Sequence, residues 1–213
     1  MIVITGATGA LNGATVEHLL GRVPADQIGV SVRSTDKARH FADRCVRVHQ
    51  GSCEDPAALR HSFEGAEQVL LVSSNDPHAD AVALHRVGIQ AAVQAGAQRI
   101  VYTSHQGAGA DSPFHPARDH AATEQLLAES GIAWTSLRNG FYAHSLGWTT
   151  RSGSPPRSQP GTPEVMARMT LTTFQAAREG RFAGTGPLMA ELLGREPRTI
   201  ANQFAGSIPS QAS

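Results

Sequence analysis

The chain is poor in the residues that mark several broad classes of protein. Only two of its 213 residues are cysteine, Cys45 and Cys53, and their spacing fits neither zinc ligation nor a C-x-x-C redox pair. Two free thiols in a reducing compartment are expected. Charge of one sign is missing as well. Lys and Arg balance Asp and Glu at 18 each, so there is no electrostatic footprint for nucleic acid or for an anionic membrane. No apolar run approaches the ~18 residues of a membrane span, and no charged segment precedes an apolar one at the N-terminus. A soluble, cytoplasmic protein acting on small molecules is the resulting expectation. The length suits one domain with a small appendage.

What is present begins at the first residues. Ile2-Val3-Ile4-Thr5-Gly6-Ala7-Thr8-Gly9-Ala10-Leu11-Asn12-Gly13 reads as a buried strand that turns through two glycines into a helix. Such a turn lets the backbone approach a pyrophosphate, with first-turn amides and the helix dipole aimed at the anion. A bare G-x-x-G also occurs in ordinary strand–helix turns. Position and context favour the dinucleotide site, because strand–helix units of the right length follow.

Val16, Leu19 and Leu20 predict a helix over 14–20 capped by Gly21. Ile28 to Val32 is the second strand, and Arg33 and Lys37 follow it. In doubly wound folds an acidic residue at this point selects a free ribose 2′-hydroxyl, whereas arginine accommodates a 2′-phosphate. Arg33 therefore favours NADP over NAD; a solvated surface arginine is the alternative. A third strand is predicted at 46–49, and Asp55 is placed to cap a helix starting at Pro56. Gln68 to Val72 forms a buried fourth strand ending in Ser73-Ser74-Asn75, at the expected switch point of the sheet or in a simple loop-capping role. A helix over 79–95, a fifth strand over 99–104, a helix over 117–130 and a sixth strand over 133–137 complete the alternation, which predicts an α/β, Rossmann-like doubly wound parallel sheet. The helix over 117–130 carries His120 and Glu124 one turn apart.

Residues 151–163 contain four prolines and no large apolar side chain, which reads as a linker. The expected organisation is a nucleotide-binding domain over 1–150, this linker, and a reduced C-terminal helical region over 164–213. That region holds helices at 164–179 and near 199–204, with the segment 187–193 between them.

The motifs Thr5-Gly6-Ala7-Thr8-Gly9-x-Leu11, Val32-Arg33 with Lys37-Ala38, Leu70 to Asn75, Val101-Tyr102-Thr103-Ser104, and Thr123-Glu124-x-Leu126-Leu127 through Leu137-Arg138 together resemble the NmrA-like atypical short-chain dehydrogenases. Within that group the likeness is to the NAD(P)H:quinone oxidoreductase type 2 branch. It spans residues 1 to about 148 and resumes at Leu192-Leu193-Gly194-Arg195-Glu196-Pro197. The sequence departs from the family in three places. Asn12 stands where the third fingerprint glycine belongs, with Gly13 one place later. The tyrosine–lysine pair of ordinary short-chain dehydrogenases is absent, with Pro116 and His120 at its positions. Several dozen residues of the substrate side are replaced by the linker.

The resemblance implies an NADPH-dependent oxidoreductase passing hydride to a quinone-like or other small carbonyl acceptor. Gly6, Thr8, Gly9, Ala10 and Leu11 would hold the pyrophosphate. Arg33 and Lys37 would meet the 2′-phosphate, and Ser73, Ser74 and Asn75 the ribose region. Phe141 and Tyr142 would border the acceptor slot, where Tyr142 is equally a packing residue. His120 is the candidate proton donor, since an ordinary imidazole titrates near neutrality; a plain helix-surface histidine is the alternative. No metal-ligand cluster stands out among the ten histidines. A non-catalytic NAD(P)-sensing regulator of NmrA type is the rival function, and an altered reading frame over the linker a third. The expected partner is the small-molecule acceptor, and a homodimer stays open.

Overall fold

The computed structural model describes residues 1–74, 76, 78–141, 164–184, 186–197, 199 and 201–202. It divides into two compact units, Met1–Asn139 and Gly140–Ser213. The predicted linker over 151–163 lies outside the described residues, as do Asn75 and Tyr142.

In the first unit, strands β1 (Ile2–Thr5), β2 (Ile28–Val32), β3 (Arg47–Gln50), β4 (Gln68–Leu71), β5 (Arg99–His105) and β6 (Ala133–Asn139) alternate with helices α1 (Ala10–Leu20), α2 (Arg39–Ala42), α3 (Pro56–Ser62), α4 (Ala81–Gln94) and α5 (His115–Glu129). All strand pairs are parallel, in the order β3-β2-β1-β4-β5-β6. The order reverses between β1 and β4, where Val3 pairs with Val69 and Ile4 with Leu70. That reversal opens a crevice at the carboxyl ends of the two strands.

Side chains alternate across the sheet with period two, which separates two cores. Val3, Val69, Leu71, Ile100 and Tyr102 pack against Leu59 and Phe63, Ile89 and Ala92, and Leu127, drawn from α3, α4 and α5. Ile4, Leu70, Ile28, Val30 and Val32 face the other way onto Val16 of α1 and Phe41 of α2. Each fully buried aliphatic contributes roughly 1.5–3 kcal/mol, so the central strands anchor the loops at their ends.

The expected Asp55 cap is present, its carboxylate accepting from the Ala58 amide at 3.0 Å. Other boundaries differ for local reasons. Helix α1 starts at Ala10, four residues before the predicted point, because the glycine turn is tight enough for Gly9 to be its N-cap. Gly21 ends that helix with φ of −85°, in right-handed rather than left-handed geometry. Strand β4 stops at Leu71 because the Val72 amide leaves the ladder and donates to Thr5 Oγ1 at 2.8 Å. Strands β5 and β6 run on together to the pair His105–Asn139.

The second unit contains the helices α6 (Glu164–Arg178) and α7 (Leu188–Leu193). Gly194 ends α7 in the left-handed region at φ +63°. Phe141 stands edge-on to Phe182, ring centroids 5.2 Å apart. No described helix is long and apolar enough to cross a membrane.

Candidate functional site

Strand β1 ends at the switch point, and the chain leaves it through Gly6 at φ +64°. A Cβ there would sit 2.7 Å from Val72 Cγ1, so both the conformation and the space demand glycine. The Gly9 amide closes the turn on Gly6 O at 2.9 Å. Thr8, Gly9, Ala10 and Leu11 are all exposed. No side chain caps α1 and no acidic residue occupies its first turn, so its leading amides face outward without an anionic partner.

Asn12 is buried, and its Nδ2 donates to Thr5 O at 2.6 Å. A close backbone approach falls instead on Gly13, where a Cβ would lie 3.0 Å from Ala7 O in the turn after β1. The altered fingerprint is therefore a one-residue shift in which an amide side chain ties the helix to the end of β1.

At the end of β2, Arg33 and Lys37 are exposed. The nearby carboxylate, Asp36, is engaged by Arg39 Nη2 at 2.9 Å. Among the described residues neither Arg33 nor Lys37 is paired with a carboxylate, which leaves two exposed cations after β2.

The ends of β4 and β5 carry a continuous polar network. The Ser73 amide donates to Thr103 Oγ1 at 2.9 Å, and the Ser74 amide to His85 Nε2 at 2.8 Å. His85 Nδ1 lies 2.8 Å from Thr123 Oγ1, and the Tyr102 hydroxyl 2.8 Å from His120 Nδ1. His105 stacks over His120 with centroids 6.0 Å apart.

Burial holds His85 down to about 4. Burial and the neighbouring imidazoles of His105 and His85 hold His120 at about 4 against the pull of Glu124. The ordinary imidazole expected of His120 is thus corrected, because the helix face that carries it packs onto the sheet. It is neutral at pH 7. Burial also pushes the Tyr102 phenol up.

Glu124 shares a helix face with His120 but serves other partners. It accepts from Ser104 Oγ at 2.7 Å, Ser136 Oγ at 2.6 Å and Arg138 at 3.0 and 2.5 Å. Burial alone would raise its carboxyl, and the bonds from Arg138, Ser136 and Ser104 outweigh that and lower it. Glu124 is a strut that clamps β5 to β6. Pro116 lies in the first turn of α5, where its missing amide is harmless.

A pH dependence of stability follows. The folded imidazoles of His85 and His120 titrate near 4, below the ~6.5 of an unfolded chain. Both are neutral when folded, so the stability is fully present above pH 6.5 and is lost as the unfolded chain takes up protons below it. Glu124, also depressed, adds a further loss at lower pH. Urea unfolding is expected to show about 3 kcal/mol less stability at pH 5 than at pH 7, with a flat response from pH 7 to 8.

His85, Tyr102, Thr103, Glu124 and Arg138 were not singled out as a network from sequence. A faint signal existed in His85, a lone imidazole on an otherwise apolar helix face, AVALHRVGIQAAV.

These features lie at the carboxyl end of the parallel sheet: a glycine turn under uncapped helix amides after β1, two cations after β2, and a polar cluster at the ends of β4 and β5. A family model described as NAD(P)H-binding matches residues 6–168. The chain belongs to the NAD(P)H-binding family. It is 43% identical over 145 residues to quinone oxidoreductase 2 of Escherichia coli, covering 68% of this chain and 50% of that protein. It is 32% identical over 148 residues to an NmrA-like family domain-containing oxidoreductase of Aspergillus flavus, covering 67% and 48%. The chain thus spans about half the length of the curated relatives it matches. Among solved structures, the NADPH-dependent quinone oxidoreductase of E. coli complexed with NADPH superposes with a TM-score of 0.86 at 27% identity, covering 97% of this chain and 99% of that one. The expected NmrA-like and quinone-oxidoreductase likeness is borne out.

The glycine turn that leads into α1 fits a phosphate-bearing cofactor. A Cβ at Gly9 would press on Gly6 O at 3.3 Å, which leaves little room for a side chain at the start of α1 and keeps its first amides open to an anion.

Proposed function

We propose that this chain is an NADPH-dependent oxidoreductase that passes hydride to quinone-like acceptors. The observation that carries the reading is the glycine turn at the switch point with Arg33 and Lys37 uncommitted at the end of β2. The two E. coli and A. flavus relatives are named oxidoreductases, which supports this function over a regulatory one.

In this reading Gly6, Thr8, Gly9, Ala10 and Leu11 cradle the pyrophosphate, with the amides at the start of α1 as donors. Arg33 and Lys37 bind the 2′-phosphate, and Ser73 and Ser74 border the ribose. Bound nicotinamide supplies the hydride. His120 faces the acceptor oxygen, and the strut from Glu124 to Arg138 holds the sheet end on which the acceptor would rest. Asn75 and Tyr142 belong to the proposal by resemblance alone. The division into a nucleotide-binding domain over 1–150, a linker over 151–163 and a helical region over 164–213 is also part of the proposal, supported by the proline-rich composition of 151–163.

The test is direct. Purified protein is expected to oxidise NADPH when a quinone is added, seen as loss of the reduced-nicotinamide absorbance, with NADH much less effective. Tight NADPH binding with no turnover over a broad panel of quinones and carbonyls would point to the regulatory function instead.

A further inference from the structure

The polarity of the network around His120 can be worked out from one fixed point. A backbone amide can only donate, so the Ser74 N–H leaves His85 Nε2 bare. Neutral His85 therefore carries its proton on Nδ1 and donates it to Thr123 Oγ1 at 2.8 Å. The Thr123 hydroxyl passes its own hydrogen to Asp119 O at 2.8 Å. A protonated Nδ1 cannot accept, so the Tyr102 hydroxyl, 3.4 Å from it, directs its hydrogen elsewhere. His120 Nδ1, at 2.8 Å, takes it in preference to Thr123 Oγ1, which also neighbours the phenol and already accepts from His85. His120 is left with its proton on Nε2, and no described residue accepts a hydrogen bond from that nitrogen.

We propose that Tyr102 and His85 are positioning residues that lock His120 as its Nε2–H tautomer, so that it acts as a neutral hydrogen-bond donor to the acceptor's developing oxyanion rather than as the acid that protonates it. This rests on the quinone-reductase reading above.

The surroundings fit a neutral donor. His105 stacks on His120 from β5 and His85 lies beyond Tyr102 on α4, and neither brings a negative charge to the ring that would favour an imidazolium. On α5, Asp119 is bonded to His115 at 3.0 Å, and Glu124 is occupied by Ser104, Ser136 and Arg138. Neither carboxylate is bonded to the His120 ring. The network also closes at both ends, on the Ser74 amide and the Asp119 carbonyl. Neither can supply a proton, so His120 cannot be reprotonated along it.

The chemistry balances without such a transfer. A bound reduced nicotinamide would supply hydride, with both electrons of its C–H bond, to the quinone and be oxidised in turn. The resulting hydroquinone monoanion would hold its charged oxygen against His120 Nε2–H and take its one proton from solvent.

The test combines spectroscopy with kinetics on the full chain. Long-range 15N–1H correlation at pH 7 is expected to show His120 as a single Nε2–H tautomer. In Tyr102→Phe both tautomers should appear, with kcat lowered about tenfold and KM for the quinone unchanged. His120→Gln, which keeps an N–H donor, should retain more than a tenth of kcat, whereas His120→Ala should lose about a hundredfold. Wild-type kcat should lack an ionisation between pH 5 and 8. An Nδ1–H or cationic His120 in the wild-type spectrum, or an inactive His120→Gln with a kcat limb near pH 6–7, would overturn the proposal even if Tyr102→Phe fails to fold. A wild type with the Nε2–H tautomer but no quinone turnover would refute the quinone reading and, with it, the oxyanion role, while the Tyr102 lock would stand.

Discussion

Gly6→Ala is expected to weaken NADPH binding by tenfold or more and to remove about 2–3 kcal/mol of stability. Two costs combine. A non-glycine residue in the left-handed region loses roughly 1–2 kcal/mol, and the new methyl would meet Val72 Cγ1 at 2.7 Å. Val72 is β-branched and stiff about χ1, and its amide is held by Thr5 Oγ1. The turn must therefore shift, and its shift carries the amides of Ala10 and Leu11 away from the phosphate position. Gly96→Ala is the control. Gly96 has φ +79° but nothing within 4 Å of its Cβ position, so it should lose only the backbone share, about 1 kcal/mol, and bind NADPH normally. Calorimetric titration and urea unfolding of both variants separate the two effects. Equal losses in the two would show that Val72 yields freely and that the turn tolerates a side chain.

Arg33→Ala is expected to lower NADPH affinity ten- to a hundredfold while leaving NADH affinity unchanged. A guanidinium on a dianionic phosphate makes charge-assisted bonds, about twice as strong as neutral ones. Arg33 is exposed and Asp36 is already paired with Arg39, so no internal carboxylate competes for it. Solvent exposure also makes the effect salt-dependent, and the NADPH preference should shrink between low and high ionic strength. Arg33→Ala with Lys37→Ala should bring the two cofactors close to parity. Titrations of NADPH and NADH into each protein provide the check; a wild type that binds both equally would refute the assignment.

Much of this was legible in the order of residues. Two glycines three apart after Ile2–Thr5 announced a tight strand–helix turn, because the backbone conformation at Gly6 is a local property that few other residues can adopt. Short apolar runs recurring with amphipathic helices between them announced a parallel sheet. That an exposed Arg33 follows β2 was legible for the same local reason, since position along the chain suffices to place it there.

The network around His120 was not legible. Ser74, His85, Tyr102, His120 and Thr123 lie on β4's exit, α4, β5 and α5, and no sequence period links them. Their protonation states depend on burial and on which atoms meet across the sheet, and both are set by packing. The same holds for Glu124, whose spacing to His120 suggested a pair, whereas its real partners come from β5 and β6.

The sequence by itself determined the alternation of elements, the glycine turn and the cation after β2, because each follows from backbone sterics, hydrophobic period or position along the chain. Only the tertiary structure decided that Asn12 ties the first helix to its strand and that Glu124 is a clamp. It also decided that His120 is a neutral imidazole, because these depend on distances between atoms far apart in the chain and on the loss of water around them.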